Sequence, residues 1–228
     1  MRSRRTCFWL VGGVAVAIAV HTVTAAITPK DLANGITAND LANALVGSGI
    51  TISGVAYRGG PRAAGTFTDN AGAIGFDSGI VLSTGRMNDV VGPNSSGSKS
   101  TNLGAGIPTP DQNGCLDRAR NTFTLGLAGD TELNGLSGFT TCDATVLEFD
   151  FVPDKDRVFL QYVFGSEEYN EFVNRQFNDV FAFSVNGVNC ATVDAAHQIP
   201  VSINTINGGG PIFGQLPKTN SHLFINND

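Results

Sequence analysis

Alternation of apolar and polar positions dominates the second half of the chain. In ATVLEFDFVP, an extended strand puts Val146, Glu148, Asp150 and Val152 on one face and Leu147, Phe149 and Phe151 on the other. Pro153-Asp154-Lys155-Asp156 is turn chemistry. RVFLQYVF then returns with Val158, Leu160, Tyr162 and Phe164 on one face, so the pattern predicts a β-hairpin with aromatic faces. FNDVFAFSVNGVNC predicts a further strand, with Val180, Ala182 and Ser184 opposite Phe181, Phe183 and Val185, closed by an Asn186-Gly187 turn. VSINTI and HLFIN predict two more. Earlier, ITISGVAY alternates through Ile50 and Ile52 and, past the Ser53-Gly54 step, through Val55 and Tyr57. AGTFT and GIVLSTG are short apolar runs bounded by Gly, Asn and Asp.

One segment reads as helical. Asn39 or Asp40 can cap a short helix carrying Leu41, Ala42, Ala44, Leu45 and Val46, which Gly47 or Gly49 stops. Residues 85–143 break the strand pattern: they are polar and rich in Gly, Ser and Asn, and read as a long inserted loop. Short strands, Gly/Asn/Asp turns and 28 glycines together predict a mainly β fold. The expected architecture is an antiparallel β-sandwich with a short N-terminal helix and a long inserted loop. Phe149, Phe151, Phe159, Tyr162, Phe164, Phe181 and Phe183 alternate in strand fashion and are expected in its core rather than on a carbohydrate platform.

The first 25 residues change the picture of location. Arg2, Arg4 and Arg5 precede the apolar run Phe8–Val20, and Val23-Thr24-Ala25 offers small residues for cleavage, so residues 1–25 are expected to be an export signal. The apolar run is shorter than the ~20 residues a membrane span needs. The single domain then covers 26–228. Removing three arginines and no acids leaves 11 basic against 20 acidic residues, a net charge of −9 in place of −6. An acidic chain is a poor partner for nucleic acid and can recruit divalent cations. Three cysteines remain, Cys115, Cys142 and Cys190. Cys115 and Cys142 flank one insertion-like segment and are expected to pair in an oxidising compartment, leaving Cys190 over.

ANDLANALVGSGITISGVAYRG, GFDSGIVLSTG, ATVLEFDFVPDKDRVFLQYVFGSEEYNEFV, FNDVFAFSVNGVNC and LFINND together resemble the choice-of-anchor L domain of secreted bacterial proteins. The resemblance runs from about Ala38 to Asp228, with 85–143 as an insertion. It implies an exported, surface-associated domain from a family named for its varied C-terminal anchoring signals, and it brings no reaction or ligand with it. The family pattern continues beyond LFINND, so further strands, an anchor and a partner for Cys190 are expected past Asp228.

The candidate chemistry sits in FGSEEYNEFV. Glu167, Glu168 and Glu171 crowd into five positions, with Asn178 and Asp179 close behind. Three readings compete. Ser166 can cap a short helix whose first turn carries the acids, which needs no ion and is worth ~1 kcal/mol. Alternatively Glu167, Glu168, Glu171 and Asp179 supply oxygens to calcium, a hard cation that takes six to eight of them. Or Glu168 works with Glu171 or Asp179 as the carboxylate pair of a carbohydrate-active hydrolase. Asp69, Asn70, Asp77, Asp89, Asp154 and Asp156 read as turn residues. Ser96-Gly97-Ser98-Lys99 fits S-x-x-K without its companion motifs, and the GPNSSGSKS run lacks phosphate-loop spacing. The function expected is a non-catalytic surface or matrix domain for adhesion or binding of an extracellular ligand, calcium-stabilised on the second of these readings, with the hydrolase as alternative.

Overall fold

The computed structural model describes residues 27–70, 72, 74–91, 127–166, 168–170, 172–175, 177–210 and 217–226. The expected export signal lies outside them. No helix among the described residues is long and apolar enough to cross a membrane.

The fold is mainly β, and every ladder is antiparallel. β1 (Ile27–Asp31), β3 (Ala64–Asp69) and β4 (Ser78–Leu82) form a three-stranded sheet in the order β1-β3-β4. β2 (Ile50–Arg58) pairs with β5 (Val146–Pro153). Two-residue strands complete the set: β6 (Val180–Phe181) with β9 (Val201–Ser202), and β7 (Ser184–Val185) with β8 (Val188–Asn189). Among the described residues these are four separate small sheets, not two continuous sheets laid face to face.

Alternation located the strand faces. In β5, Glu148, Asp150 and Val152 are exposed, and Leu147, Phe149 and Phe151 turn inward. β2 alternates until its register shifts between Ser53 and Ala56, where Gly54 takes φ +61°. That bulge lets Ile52 and Val55 face the same side. Asn186 and Gly187, both at positive φ, make the expected turn between β7 and β8.

The partner of β5 is a correction. The expected hairpin with residues 157–164 does not form: β5 runs against β2, from Ile50 opposite Pro153 to Arg58 opposite Val146. The Asp154 amide donates to the Gly49 carbonyl at 2.8 Å, carrying the pairing one step further. Residues 157–164 make no ladder at all. Of the face expected inward, Leu160 and Phe164 are half-buried, whereas Val158 and Tyr162 are exposed, although the Tyr162 ring still packs 4.8 Å from that of Phe181. Phe159, however, is 86 % exposed and not a core residue. HLFIN likewise forms no strand, and VSINTI contributes only β9. β1 was not anticipated because Pro29 and Lys30 obscure it; proline is tolerated there because β1 is an edge strand.

α1 (Ala38–Leu45) joins the two larger sheets, touching β2, β3, β4 and β5. Its cap is Thr37 and not Asn39 or Asp40. The Thr37 hydroxyl accepts from the Asp40 amide at 3.2 Å, and the Asp40 carboxylate accepts the Thr37 amide at 2.8 Å, a reciprocal capping box. Those hydrogen bonds hold the exposed Asp40 carboxyl below its usual pKa. Leu41 and Ala42 are wholly buried, as are Ala63, Ala64 and Met87. Burying a side chain such as Leu41 is worth about 1.5–3 kcal/mol. Gly65 sits where these parts converge: a Cβ there would lie 2.0 Å from Met87 Sδ and 2.2 Å from the Lys30 carbonyl.

The described ends of the 85–143 segment carry regular structure that the loop reading did not include. It opens with a 3-10 turn at Met87–Val90 and closes with α2 (Thr131–Ser137). Asp130 caps α2 by accepting the Glu132 and Leu133 amides at 2.8 and 3.2 Å, and Gly138 ends it at φ +76°. Arg58 of β2 reaches Asp130 at 2.6 Å. At the neck of the excursion the Thr145 hydroxyl donates to the Ser83 carbonyl at 2.6 Å.

Candidate functional site

The acidic stretch leaves the end of the unpaired 157–164 segment, and its described residues fold back as successive turns rather than a helix. The Ser166 hydroxyl oxygen accepts the Glu168 amide at 3.1 Å, a cap-like bond at the head of a turn instead of the expected short helix. The same hydroxyl donates to the Asp179 carboxylate at 2.7 Å. One serine therefore ties the start of the turn to the residue just before β6. The Phe172 amide then bonds the Glu168 carbonyl at 3.1 Å, and the Arg175 amide the Phe172 carbonyl at 3.0 Å. These are the bonds of isolated turns, which do not propagate into a helix.

The structure brings Glu168 and Asp179 into this one region through Ser166. Glu167 and Glu171 lie outside the described residues, so the four-carboxylate calcium set stays a proposal. Among the described residues, no three of His, Cys, Asp and Glu converge as a metal site would require. Asp179 has exposed surface, yet chain packed around its carboxyl pushes the pKa above the usual value, with the Ser166 hydrogen bond opposing. Its contact with water limits that push. Tyr169 is pushed up to about 12, first by burial and then by the nearby Asp179 charge. It therefore remains a donor at any physiological pH, and its hydroxyl donates to the Ile206 carbonyl at 2.6 Å while its ring packs 4.8 Å from that of Phe224.

What holds the turn is a set of asparagines, of which only Asn178 lies within the acidic motif's candidate ligands. Asn204 Oδ1 accepts the Asn174 amide at 2.5 Å, and the Asn204 amide donates to Asn178 Oδ1 at 3.1 Å. Asn178 Nδ2 reaches on to the Ser137 carbonyl at the end of α2 at 2.9 Å. Asn207, fully buried, donates to the Ile203 carbonyl at 2.9 Å and accepts the Gly209 and Thr219 amides at 3.1 and 3.3 Å. Each amide side chain does the work of a backbone unit where no ladder is available. The density of asparagine in this part of the chain was the available signal.

The remaining candidates are structural where described. Asp69 is buried and accepts the Ile74 amide at 2.9 Å, closing the turn between β3 and β4. Asp154 and Asp156 are exposed turn residues, and Asp77 is exposed as well. His197 Nδ1 lies 3.0 Å from the Thr192 hydroxyl on a separate turn. Cys190 is a free, exposed thiol, whereas Cys142 is not a free thiol. Cys115 lies outside the described residues, so its pairing with Cys142 is carried forward as a proposal.

No curated protein and no solved structure matches the chain. A family model, described as the choice-of-anchor L domain, matches residues 27–228, which takes in all the strands and turns described above, and the chain belongs to that family.

Proposed function

We propose that this choice-of-anchor L domain is a non-catalytic binding module that attaches an exported protein to an extracellular ligand or surface polymer. Family membership makes it a secreted or surface-associated domain. The observation that carries the rest is the Ser166 bridge, which commits Asp179 and the Glu168 amide to holding a turn. A hydrolytic pair needs two carboxyls facing each other across roughly 5 to 9.5 Å of open cleft. The upward push on Asp179 is the direction a general acid requires, and it is the specific feature on the side of the hydrolase alternative.

Affinity electrophoresis of the mature chain through a panel of neutral and acidic polysaccharides, with reducing ends measured in parallel, separates the two. Retardation without new reducing ends, unchanged in Glu168→Gln, is expected. Turnover that disappears in Glu168→Gln establishes the hydrolase instead, and neither retardation nor turnover overturns the binding reading.

A further inference from the structure

Away from the acidic turn, a cavity of about 290 Å³ lies where the end of β1, the connection from β2 to β3 and the 3-10 turn at Met87 come together. Asp31, Ala33, Asn34, Arg62, Arg86 and Asn88 line it. Two backbone bonds fix its walls: the Ala33 amide donates to the Pro61 carbonyl at 3.0 Å, and the Met87 amide to the Arg62 carbonyl at 2.9 Å. Little of the site needs ordering when a ligand arrives, which favours affinity.

The charges of the lining cancel. Arg86 already has a partner of its own. Asp31 is 2 % exposed, and its two carboxylate oxygens accept Asn34 Nδ2 at 2.7 Å and Asn88 Nδ2 at 3.2 Å. Arg62 is exposed and makes no ion pair among the described residues. One guanidinium against one carboxylate leaves no surplus charge to select an ion of either sign. What the lining offers is hydrogen-bonding groups held in place. Asp31 orients both asparagine amides, whose Oδ1 atoms accept nothing among the described residues, and the Arg62 guanidinium supplies donors.

We infer that this cavity binds a neutral sugar, as one residue of an extracellular glycan or as a free monosaccharide. Each sugar hydroxyl donates and accepts at once, which is what a lining of amide oxygens and guanidinium N–H groups can use. An anionic ligand would meet the Asp31 carboxylate with no surplus cation to offset it. An ammonium group needs a carboxylate to itself, and Asp31 is enclosed and already holds two amides. An apolar ligand would leave the asparagine oxygens without donors. The volume lies at the small end of ligand sites, ~300–1,000 Å³, and suits one ring. The inference rests on the binding-module reading and gives it a ligand class.

Titration of the mature protein followed by NMR chemical shifts tests it, with glucose, galactose and mannose as ligands and galacturonate and alanine as anionic and zwitterionic comparators. At least one hexose is expected to bind at about 10 mM or tighter, and both comparators at least about threefold more weakly. Arg62→Ala and Asn88→Ala, at exposed positions with the fold checked by melting temperature, are each expected to weaken that hexose about fivefold. Arg62→Gln keeps donors without the charge and should hold the hexose within about twofold. Tighter binding of an oligosaccharide of that hexose than of the monomer assigns a glycan, and equal binding a free sugar; either upholds the site. No hexose binding, comparators as tight as the hexose, indifference to Arg62→Ala or Asn88→Ala, or a loss in Arg62→Gln as large as in Arg62→Ala overturns it. Polysaccharide retardation that persists in Arg62→Ala would overturn this site alone and leave the binding-module reading standing.

Discussion

Ser166 and Asp179, 13 residues apart, meet in a 2.7 Å hydrogen bond that closes the acidic turn. The Asp179 carboxyl titrates above its ordinary 3.8, because burial of its surroundings disfavours the charge more than Ser166 favours it. The folded chain therefore holds this proton to higher pH than the unfolded chain does. Stability from this group is present below pH 3.8 and falls as pH rises through the raised pKa. Asp179→Asn, which keeps an acceptor for Ser166, should melt above the parent protein at pH 7, and the gap should close towards about pH 4. Melting curves across that range check it, and a lower melting point at neutral pH would contradict the assignment.

Calcium gives the turn a second test. With Ser166 already on Asp179, melting temperatures in millimolar calcium and in chelator should agree within about 1 °C, since a ligand of the folded state must raise the midpoint by mass action. A rise abolished in Glu168→Gln would instead assign an ion to these carboxylates.

Tyr169→Phe removes the hydroxyl from the Ile206 carbonyl but keeps the ring beside Phe224. The expected loss is about 1 kcal/mol by urea denaturation. With its pKa near 12, the wild-type tyrosine should show no titration linked to that difference between pH 5 and 9.

Asp130 is both the cap of α2 and the partner of Arg58. Burial pushes its carboxyl up, but the hydrogen bonds from Arg58 and from the Leu133 and Glu132 amides outweigh this and lower the pKa overall. Its contribution is thus complete above pH 3.8 and is lost as pH falls through the lowered value. Asp130→Ala should cost about 1 kcal/mol at pH 7, chiefly through the cap, while Asp130→Asn should cost less. An equal cost for the two would show that the ion pair dominates.

Gly65→Ala should be among the most damaging single-methyl changes, at about 3 kcal/mol. The added carbon meets Met87 and the β1 backbone together, and backbone cannot yield as a side chain tip can. Met87→Ala in the same chain would relieve the sulfur contact only, so partial rescue is expected.

How far the sequence reached follows from what is local. The inward faces of β2 and β5 depend on side chains two residues apart, and alternation reveals them. The partner of β5 depends on chain almost a hundred positions earlier, and a period of two carries no information about it. The same limit hid the asparagine scaffold, because Asn174, Asn178 and Asn204 become neighbours only after β6 meets β9. α2 escaped notice because Gly135 and its short apolar stripe weaken the helical pattern, although Asp130 and Gly138 mark its ends. For the candidate site, the serine cap was legible from Ser166 and Glu168, whereas its second role towards Asp179 was not.

The bond between Thr145 and Ser83 joins the residue that follows β4 to the residue that precedes β5, and so ties the three-stranded sheet to the β2–β5 pair. With α2 moored separately through Arg58, both described ends of the excursion are anchored to the strands by contacts of their own.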